Sequence, residues 1–208
     1  MNFIFENFSK SFDKFVKEEM SSISKYIDEH FLNVPENFFS NHENFEWCEN
    51  TYSGYDFFYE LTNNKTKGTK TLSHGTMTIL RAKEKLENNY RYKIKFRIGL
   101  KNGGDFDVGI GTEKCGDSCW LRTKESICIS NVGIMNLDIN MDNSIRLKDN
   151  DIVELEIGTE EKKKYFKGLI NDKLVCLLDF ELNDIYIMAA MRNTSNFIEV
   201  LKYDVTPI

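Results

Sequence analysis

The hydrophobic pattern changes its period at Pro35, and this change limits the possible folds more than any other feature of the sequence. From Phe5 to Phe31 the apolar residues recur in steps of three and four, which is the period of one face of an α-helix. After Pro35 apolar and polar residues alternate in many short runs, which is the period of β-strands. The sequence therefore predicts an amphipathic N-terminal helical segment, residues 1–35, followed by a β domain, residues 36–208.

The β domain contains a series of short candidate strands, separated by clusters of Gly, Asn and Asp and by no helical pattern. Their predicted ranges are 45–48, 55–61, 76–80, 90–98, 106–110, 127–132, 134–139, 151–157, 165–170, 174–178, 185–191 and 197–203. Asn171-Asp172 lies between two apolar runs and predicts a tight hairpin. Such an organisation indicates a mainly β protein, an antiparallel sandwich or barrel.

Charge and composition exclude several classes of protein. Hydrophobic residues make up 41% of the chain, which is typical of a globular protein. The net charge of -6 argues against broad electrostatic binding to nucleic acid or anionic lipid. The longest stretch without a charge, residues 126–137, is shorter than the roughly 20 apolar residues that span a bilayer. The N-terminus does not resemble an export or mitochondrial signal. We therefore expect a cytoplasmic protein with no membrane contact and with its five cysteines reduced.

One predicted strand carries four cations on a single face. These residues, which we call the basic ribbon, are Arg91, Lys93, Lys95 and Arg97. Same-face residues repeat at about 6.8 Å, a spacing that can follow successive phosphates, so contact with RNA or an acidic protein is one hypothesis. In the alternative, which we favour, Glu154 and Glu156 on a neighbouring strand neutralise the ribbon.

The sequence contains no complete catalytic or metal-binding motif. Cys115 and Cys119 have a spacing that can begin a zinc site, but no second Cys or His pair follows. None of the three histidines adjoins a nucleophile motif, although a triad assembled at long range stays open. Glu154 and Glu156 share a strand face, as in some glycosidases, but nearby cations oppose the raised pKa that a general acid needs. We expect no enzyme activity, cofactor, metal or small-molecule substrate.

Polar segments between strands supply the candidate binding residues. Residues 101–105 and 192–196 are expected to be exposed loops. Trp120, beside Arg122 in a loop-like stretch, is a candidate interface anchor, whereas Trp47 alternates into a strand and is predicted to lie in the core. A core position is also the alternative for Trp120. The candidate binding residues are thus Asn102, Asp105, Trp120, Arg122, Arg192 and Asn193.

Five motifs follow one another within the stretch from about Phe45 to Leu201. The first two are the strands Tyr90 to Phe96 and Asp107 to Gly111, the second of which contains Val-Gly-Ile. The other three are a turn and strand at Leu147 to Leu155, a hairpin at Phe166 to Lys173 and a strand at Ile185 to Ala189. In this order they resemble the motifs of a SPRY domain, namely its two early strands with the Val-Gly-Ile core, its Gly-Asp turn and following strand, its Phe-x-Asn-Gly hairpin and its penultimate strand.

Two turn residues depart from the family pattern. Asn150 stands where the family usually has glycine before Asp151, and Asp172 stands where it usually has glycine after Asn171. Asn and Asp adopt left-handed backbone angles more readily than other non-glycine residues. We therefore expect both turns to be retained.

The resemblance implies a bent, antiparallel two-sheet sandwich of the SPRY and concanavalin-like type that recognises proteins through loops at one edge. We expect a non-enzymatic adaptor or recognition module, with the N-terminal helix packed on its own domain or docked on a partner. The alternative is a structural or regulatory factor within a large assembly, including a ribonucleoprotein such as the ribosome. A carbohydrate hydrolase or lectin-like relative is the third hypothesis.

Overall fold

The structure, a computed structural model, describes residues 45–48, 59–71, 77–101, 103–118, 121–136, 139–142 and 145–208. They belong to one compact unit, Asn41–Ile208. The predicted N-terminal helix and the boundary at Pro35 lie outside the described residues, as do residues 55–58 of one predicted strand. No helix within the described ranges has the length and apolar character needed to cross a membrane.

Thirteen strands are found in the described residues. Their bounds are β1 Tyr59–Thr62, β2 Lys67–Lys70, β3 Thr78–Arg81, β4 Tyr90–Gly99, β5 Phe106–Thr112, β6 Ser126–Ser130, β7 Gly133–Asn136, β8 Ile139–Asp142, β9 Ile152–Glu160, β10 Lys163–Ile170, β11 Lys173–Phe180, β12 Ile185–Met191 and β13 Phe197–Pro207. A short 3-10 helix, Glu113–Ser118, follows β5.

The strands form two sheets, and within each sheet all neighbouring strands pair in antiparallel orientation. One sheet has seven strands in the order β1-β2-β13-β4-β9-β10-β11, and the other has six in the order β3-β12-β5-β6-β7-β8. The main core lies between them and includes Phe96, Ile110 and Phe166, all fully buried. The predicted mainly β, two-sheet antiparallel sandwich is therefore confirmed.

The outer faces of the two sheets differ in their environment. At β4 the outer face of the seven-stranded sheet is polar, so this strand alternates between buried Ile94 or Phe96 and outward-facing Lys93 or Arg97. The outer face of the six-stranded sheet is buried in a second apolar cluster. This cluster contains Met77, Ile79, Cys115, Leu121, Cys128, Met188 and Ala190. Strands that are buried on both faces do not alternate between apolar and polar residues. β5, β6 and β12 are accordingly buried along nearly their whole length.

Strand β2 was not predicted, because Lys67–Lys70 contains no apolar side chain. It pairs with both β1 and β13. A Cβ atom at Gly68 would lie 2.3 Å from Cδ2 of Leu80, so the strand's small residue allows a core leucine to pack against its backbone. Lys70 is buried and its Nζ donates to Oγ1 of Thr78 at 2.5 Å. Hydrophobic periodicity does not detect a strand of this kind.

Two of the predicted strands differ from the strands found in the structure. The run predicted at 134–139 is divided into β7 and β8, which pair with each other as a hairpin. The run predicted at 45–48 forms only one isolated bridge, between Trp47 and Ala82. Trp47 is nevertheless buried as predicted, and its Nε1 donates to the carbonyl of Thr66 at 3.1 Å.

Candidate functional site

Two loops lie side by side at one edge of the sandwich. Residues 100–105 connect β4 to β5, and residues 192–196 connect β12 to β13. The backbone N–H of Arg192 donates to the carbonyl of Asp105 at 3.0 Å, and Nδ2 of Asn196 donates to the carbonyl of Gly103 at 2.9 Å. These hydrogen bonds join the two loops, and together with Arg122 we call them the recognition edge.

Four charged side chains form an ion cluster within the recognition edge. Nε of Arg122 donates to Oδ1 of Asp107 at 3.0 Å, and its Nη2 donates to Oδ1 of Asp105 at 3.1 Å. The other carboxylate oxygen of Asp105, Oδ2, accepts from Nη1 of Arg192 at 2.8 Å. Charges from three separate segments of the chain are therefore bound to one another.

Asp107 forms the buried base of this cluster. Its side chain is 0% exposed and that of Arg122 is 15% exposed. Burial raises the pKa of Asp107 above its ordinary value, although Arg122 acts to lower it. Burial acts to lower the pKa of Arg122, but Asp107 and Asp105 outweigh it and raise that pKa. The guanidinium therefore stays charged and compensates the buried carboxylate.

Arg122 is held in place by the segment that crosses the outer face of the six-stranded sheet. Leu121 is buried in the second apolar cluster, and its carbonyl accepts hydrogen bonds from Ser126 and from the thiol of Cys128. A Cβ atom at Gly111 would lie 2.7 Å from Sγ of Cys115. The glycine in β5 therefore allows the segment to lie close to the sheet, which brings Arg122 to the recognition edge.

The loop 100–105 is fixed by further contacts. Gly103 and Gly104 have φ angles of 61° and 78°, in the left-handed region that favours glycine. Nδ2 of Asn131 donates to the carbonyl of Gly104 at 2.8 Å. Oδ1 of Asp149 accepts from the backbone N–H of Leu100 at 2.8 Å, and this hydrogen bond lowers the pKa of Asp149. The described residues of this loop, on both sides of residue 102, are thus held by contacts within the chain.

The structure brings together most of the candidate binding residues. Asp105, Arg122 and Arg192 share the ion cluster, and a Cβ atom at Gly104 would lie 2.5 Å from Nδ2 of Asn193. Asn102 and Trp120 lie outside the described residues. The loop 192–196 was expected to be exposed, but Asn196 is fully buried because it binds the neighbouring loop.

Sequence reasoning missed three residues that support the recognition edge, namely Asp107, Asn131 and Asp149. The signal for Asp107 was a carboxylate within an otherwise apolar strand, Phe106–Thr112, since a buried charge requires a partner. Asn131 and Asp149 carry no comparable signal. They lie in turns, where Asn and Asp are common for local reasons.

The basic ribbon lies on the outer face of the seven-stranded sheet and is bound by carboxylates. The register of β4 and β9 places Lys93 opposite Glu156 and Lys95 opposite Glu154. Both ammonium groups lie 3.6 Å from a carboxylate oxygen of these glutamates. On the other side, Nε of Arg97 donates to Glu199 of β13 at 3.0 Å. The predicted neutralisation of the ribbon by Glu154 and Glu156 is confirmed.

Glu156 connects three strands of this face. It accepts from the hydroxyl of Tyr165 at 2.8 Å and lies 3.3 Å from Nζ of Lys167 and 3.9 Å from Nε of Arg91. Burial acts to raise the pKa of Glu156, but Tyr165, Lys93 and Lys167 outweigh it and lower that pKa. A carboxylate held in its ionised form is unsuited to be a general acid.

The described cysteines are free thiols, and Cys115 and Cys128 are buried in the second apolar cluster. Burial raises the pKa of Cys115 and Cys128, which makes these thiols poor nucleophiles at neutral pH. Cys119, the second residue of the possible zinc motif, lies outside the described residues. In the part of the chain that the structure describes, no cluster of three or more metal-ligating side chains is present.

Comparison with known proteins identifies the fold. No protein-family model and no curated protein sequence matches the chain. The crystal structure of a human SPRY domain is similar with a TM-score of 0.55 and 11% identity, over 69% of this chain and 94% of that one. The chain has a SPRY fold. The SPRY domain of human HERC1 is similar with a TM-score of 0.53 and 14% identity, over 68% of this chain and 91% of that one. The PSpry domain of TRIM65 is similar with a TM-score of 0.53 and 10% identity, over 76% of this chain and 92% of that one.

The SPRY fold retains both turns at which this chain lacks the usual glycine. Asn150 has a φ angle of 66° and Asp172 has one of 62°, so both residues adopt the left-handed conformation. Asn171 is left-handed as well, with a φ of 49°, and the hairpin between β10 and β11 forms as predicted. Asn150 and Asp172 thus adopt the backbone conformation that favours glycine.

Proposed function

We propose that this SPRY-fold chain is a non-enzymatic interaction module that binds a protein partner through its recognition edge. In this proposal it acts in the cytoplasm as an adaptor or recognition factor. The observation that supports it most is the ion cluster of Asp105, Asp107, Arg122 and Arg192, which fixes three separate chain segments at one edge. Protein recognition through edge loops is also what the SPRY resemblance implies.

A fixed edge favours binding because the loops do not have to be ordered when the partner arrives. The guanidinium of Arg192 is 40% exposed and is oriented by Asp105. Arginine is among the side chains that contribute most to protein interfaces. We propose that Arg192 and Asn193 contact the partner directly and that Arg122 positions them through Asp105.

Two candidate residues complete the proposed surface. Asn102 lies within the loop 100–105, and Trp120 lies two residues before the anchored Arg122. A tryptophan beside such an anchor would supply the apolar contact that most interfaces contain. The N-terminal segment, residues 1–35, would be a second attachment point, and two linked weak contacts bind more tightly than either one alone.

The proposal is tested with two matched arginine variants. Arg192→Ala changes the recognition edge, and Arg91→Ala changes the basic ribbon at a similar exposure, 43% against 40%. The tagged chain is purified from native extract, with and without RNase, and the bound proteins are quantified by mass spectrometry. We expect Arg192→Ala to reduce the bound partner at least about fivefold, the loss of one good interface contact, while Arg91→Ala leaves it unchanged.

The reverse outcome would contradict the proposal. RNase-sensitive binding that is lost in Arg91→Ala and kept in Arg192→Ala would support a factor bound within a ribonucleoprotein through the ribbon. If neither substitution changes binding, neither the recognition edge nor the basic ribbon is the binding surface. A thermal unfolding curve for each variant shows whether a lost contact reflects binding or folding.

A further inference from the structure

Arg146 lies beside the recognition edge, on the segment between β8 and β9. Its Nη1 donates to the backbone carbonyl of Asn131 at 3.1 Å. The side chain of Asn131 in turn binds the loop after β4, because its Nδ2 donates to the carbonyl of Gly104 and its Oδ1 accepts from the backbone N–H of Phe106 at 3.0 Å. Asn131 alone therefore links the guanidinium of Arg146 to the loop 100–105.

Two oriented arginines flank the start of β5. In the six-stranded sheet β5 lies between β12 and β6. Arg192 follows β12, and Asn131, which holds Arg146, follows β6. The two arginines therefore lie on opposite sides of the start of β5. They differ in charge compensation, because the carboxylate of Asp105 binds Arg192 at 2.8 Å whereas a neutral carbonyl holds Arg146.

Lys148 is a second cation beside the recognition edge. It begins the turn 148–151, which contacts the loop after β4 because Oδ1 of Asp149 accepts from the backbone N–H of Leu100. Lys148 and Arg146 are both exposed. Among the residues that the structure describes, no carboxylate lies within ion-pair distance of either side chain. We call these two residues the flanking cations.

The carboxylates around the flanking cations are already bound within the chain. The segments that form the edge and its flanks carry four of them, Asp105, Asp107, Asp149 and Asp151. The first two bind Arg122, the third lies 3.2 Å from Nζ of Lys101, and the fourth is buried and accepts from Nδ2 of Asn171. The charge that remains uncompensated here is therefore positive, although the whole chain has a net charge of -6.

We propose that the partner bound at the recognition edge is an acidic protein segment, whose carboxylates bind Arg146 and Lys148. This inference rests on the proposed function, since it names the chemistry of the partner at that site. A guanidinium binds a carboxylate through two parallel hydrogen bonds, and Arg146 is already oriented by Asn131. Lys148 adds a point charge that attracts the same segment.

A protein segment fits this surface better than a nucleic acid. The carboxylate of Asp149 is 37% exposed in the turn that Lys148 begins, and the net charge of the chain is -6. A nucleic acid brings a phosphate at every nucleotide and would be repelled by both. A peptide is able to place carboxylates opposite Arg146 and Lys148 and neutral residues opposite Asp149. The occupant is therefore acidic but not a continuous polyanion.

Selection from a displayed library of random dodecapeptides tests the proposal with the full chain. The selected peptides are synthesised, and fluorescence anisotropy measures their affinity for the wild type and for each variant. We expect the selected sequences to be enriched in Asp and Glu. Their affinity should fall as the salt concentration rises, because salt screens the attraction between exposed charges.

Two matched double variants locate the binding. Arg146→Gln combined with Lys148→Gln removes both flanking charges and keeps hydrogen-bond donors on both side chains. Lys124→Gln combined with Lys162→Gln removes two charges from exposed residues away from the start of β5. We expect the first pair to weaken the selected peptides at least about tenfold and the control pair to change their affinity less than about twofold. Thermal unfolding curves show whether both double variants fold as the wild type does.

Arg192→Ala distinguishes a failure of this inference from a failure of the proposed function. Selected peptides that are not acidic, keep their affinity without the two flanking charges and lose it in Arg192→Ala would overturn the inference and leave the proposed function standing. Peptides whose affinity depends on none of these residues would contradict both.

Two further outcomes would overturn the inference. One is a selection that yields no binding peptide. The other is tighter binding of a single-stranded RNA than of any selected peptide, lost when the charges of Arg146 and Lys148 are removed, which would assign the flanking cations to nucleic acid.

Discussion

At the residue scale, Asp107 and Arg122 determine whether the recognition edge keeps its shape. The carboxylate is 0% exposed, and Arg122 approaches it to 2.9 Å. A buried charge that loses its partner is far more costly than a pair that was never present. Replacing Arg122 alone should therefore destabilise the edge more than replacing both residues.

We expect Arg122→Met to lower the free energy of unfolding by about 3 kcal/mol, because it leaves Asp107 buried without its counter-ion. The double variant Arg122→Met, Asp107→Asn should recover much of this loss. Arg192→Met, at the exposed side of the same cluster, should cost less than about 1 kcal/mol. Urea denaturation measures all three, and equal losses in the two single variants would contradict this account.

The hairpin after β10 offers a second prediction, because its two turn residues have different roles. Oδ1 of Asn171 accepts from the backbone N–H of Ile152 at 2.9 Å, and its Nδ2 donates to Asp151 at 2.8 Å. Asp172 contacts only Lys95, at 3.4 Å and at the surface, among the partners described here. Both residues are left-handed, but only Asn171 makes structural hydrogen bonds.

Asp172→Gly should therefore raise the free energy of unfolding by about 0.5 kcal/mol, since glycine adopts this backbone conformation without strain. Asn171→Gly should lower it by about 1 kcal/mol, because two hydrogen bonds are lost. Thermal unfolding measures both shifts. A gain in stability for Asn171→Gly would show that its side-chain contacts contribute nothing.

At the scale of elements, the outer face of β4, β9 and β10 is stabilised by alternating charges. Glu156 is 12% exposed and bridges Lys93 on one neighbouring strand and Lys167 on the other. Its pKa is lower in the folded protein than its ordinary value. A lowered pKa contributes stability above the unfolded pKa, and this contribution is lost as the pH falls through the folded pKa.

Glu156→Gln should lower the free energy of unfolding by about 1 to 2 kcal/mol at about pH 7, where the wild-type carboxylate is ionised and hydrogen bonded. The difference in the free energy of unfolding between the variant and the wild type should become smaller as the pH falls towards about 3. Urea denaturation across this pH range provides the test. A difference that is independent of pH would mean that packing and not charge is responsible.

At the scale of the whole molecule, a net charge of -6 and a neutralised ribbon disfavour binding to nucleic acid. We therefore predict that the protein in native cell extract sediments as a light species with a few protein partners, unchanged by RNase. Gradient sedimentation with mass spectrometry tests this prediction. Heavy migration that RNase abolishes would instead support a factor within a ribonucleoprotein.

The sequence by itself determined the β class, the positions of most strands and the SPRY resemblance. These follow from local patterns, since alternation along a strand and left-handed turn residues are properties of neighbouring positions. The pairing of Lys93 and Lys95 with Glu156 and Glu154 was also predictable, because the alternation of each strand showed which side chains share a face.

Only the tertiary structure decided the composition of the recognition edge and the position of β2. Asp105, Arg122 and Arg192 are far apart in the sequence, and they meet because buried Leu121 directs Arg122 across the sheet. β2 is held by its neighbouring strands and by the packing of Leu80 against Gly68. Contacts between distant segments depend on how the sheets fold, and no local pattern of hydrophobicity records them.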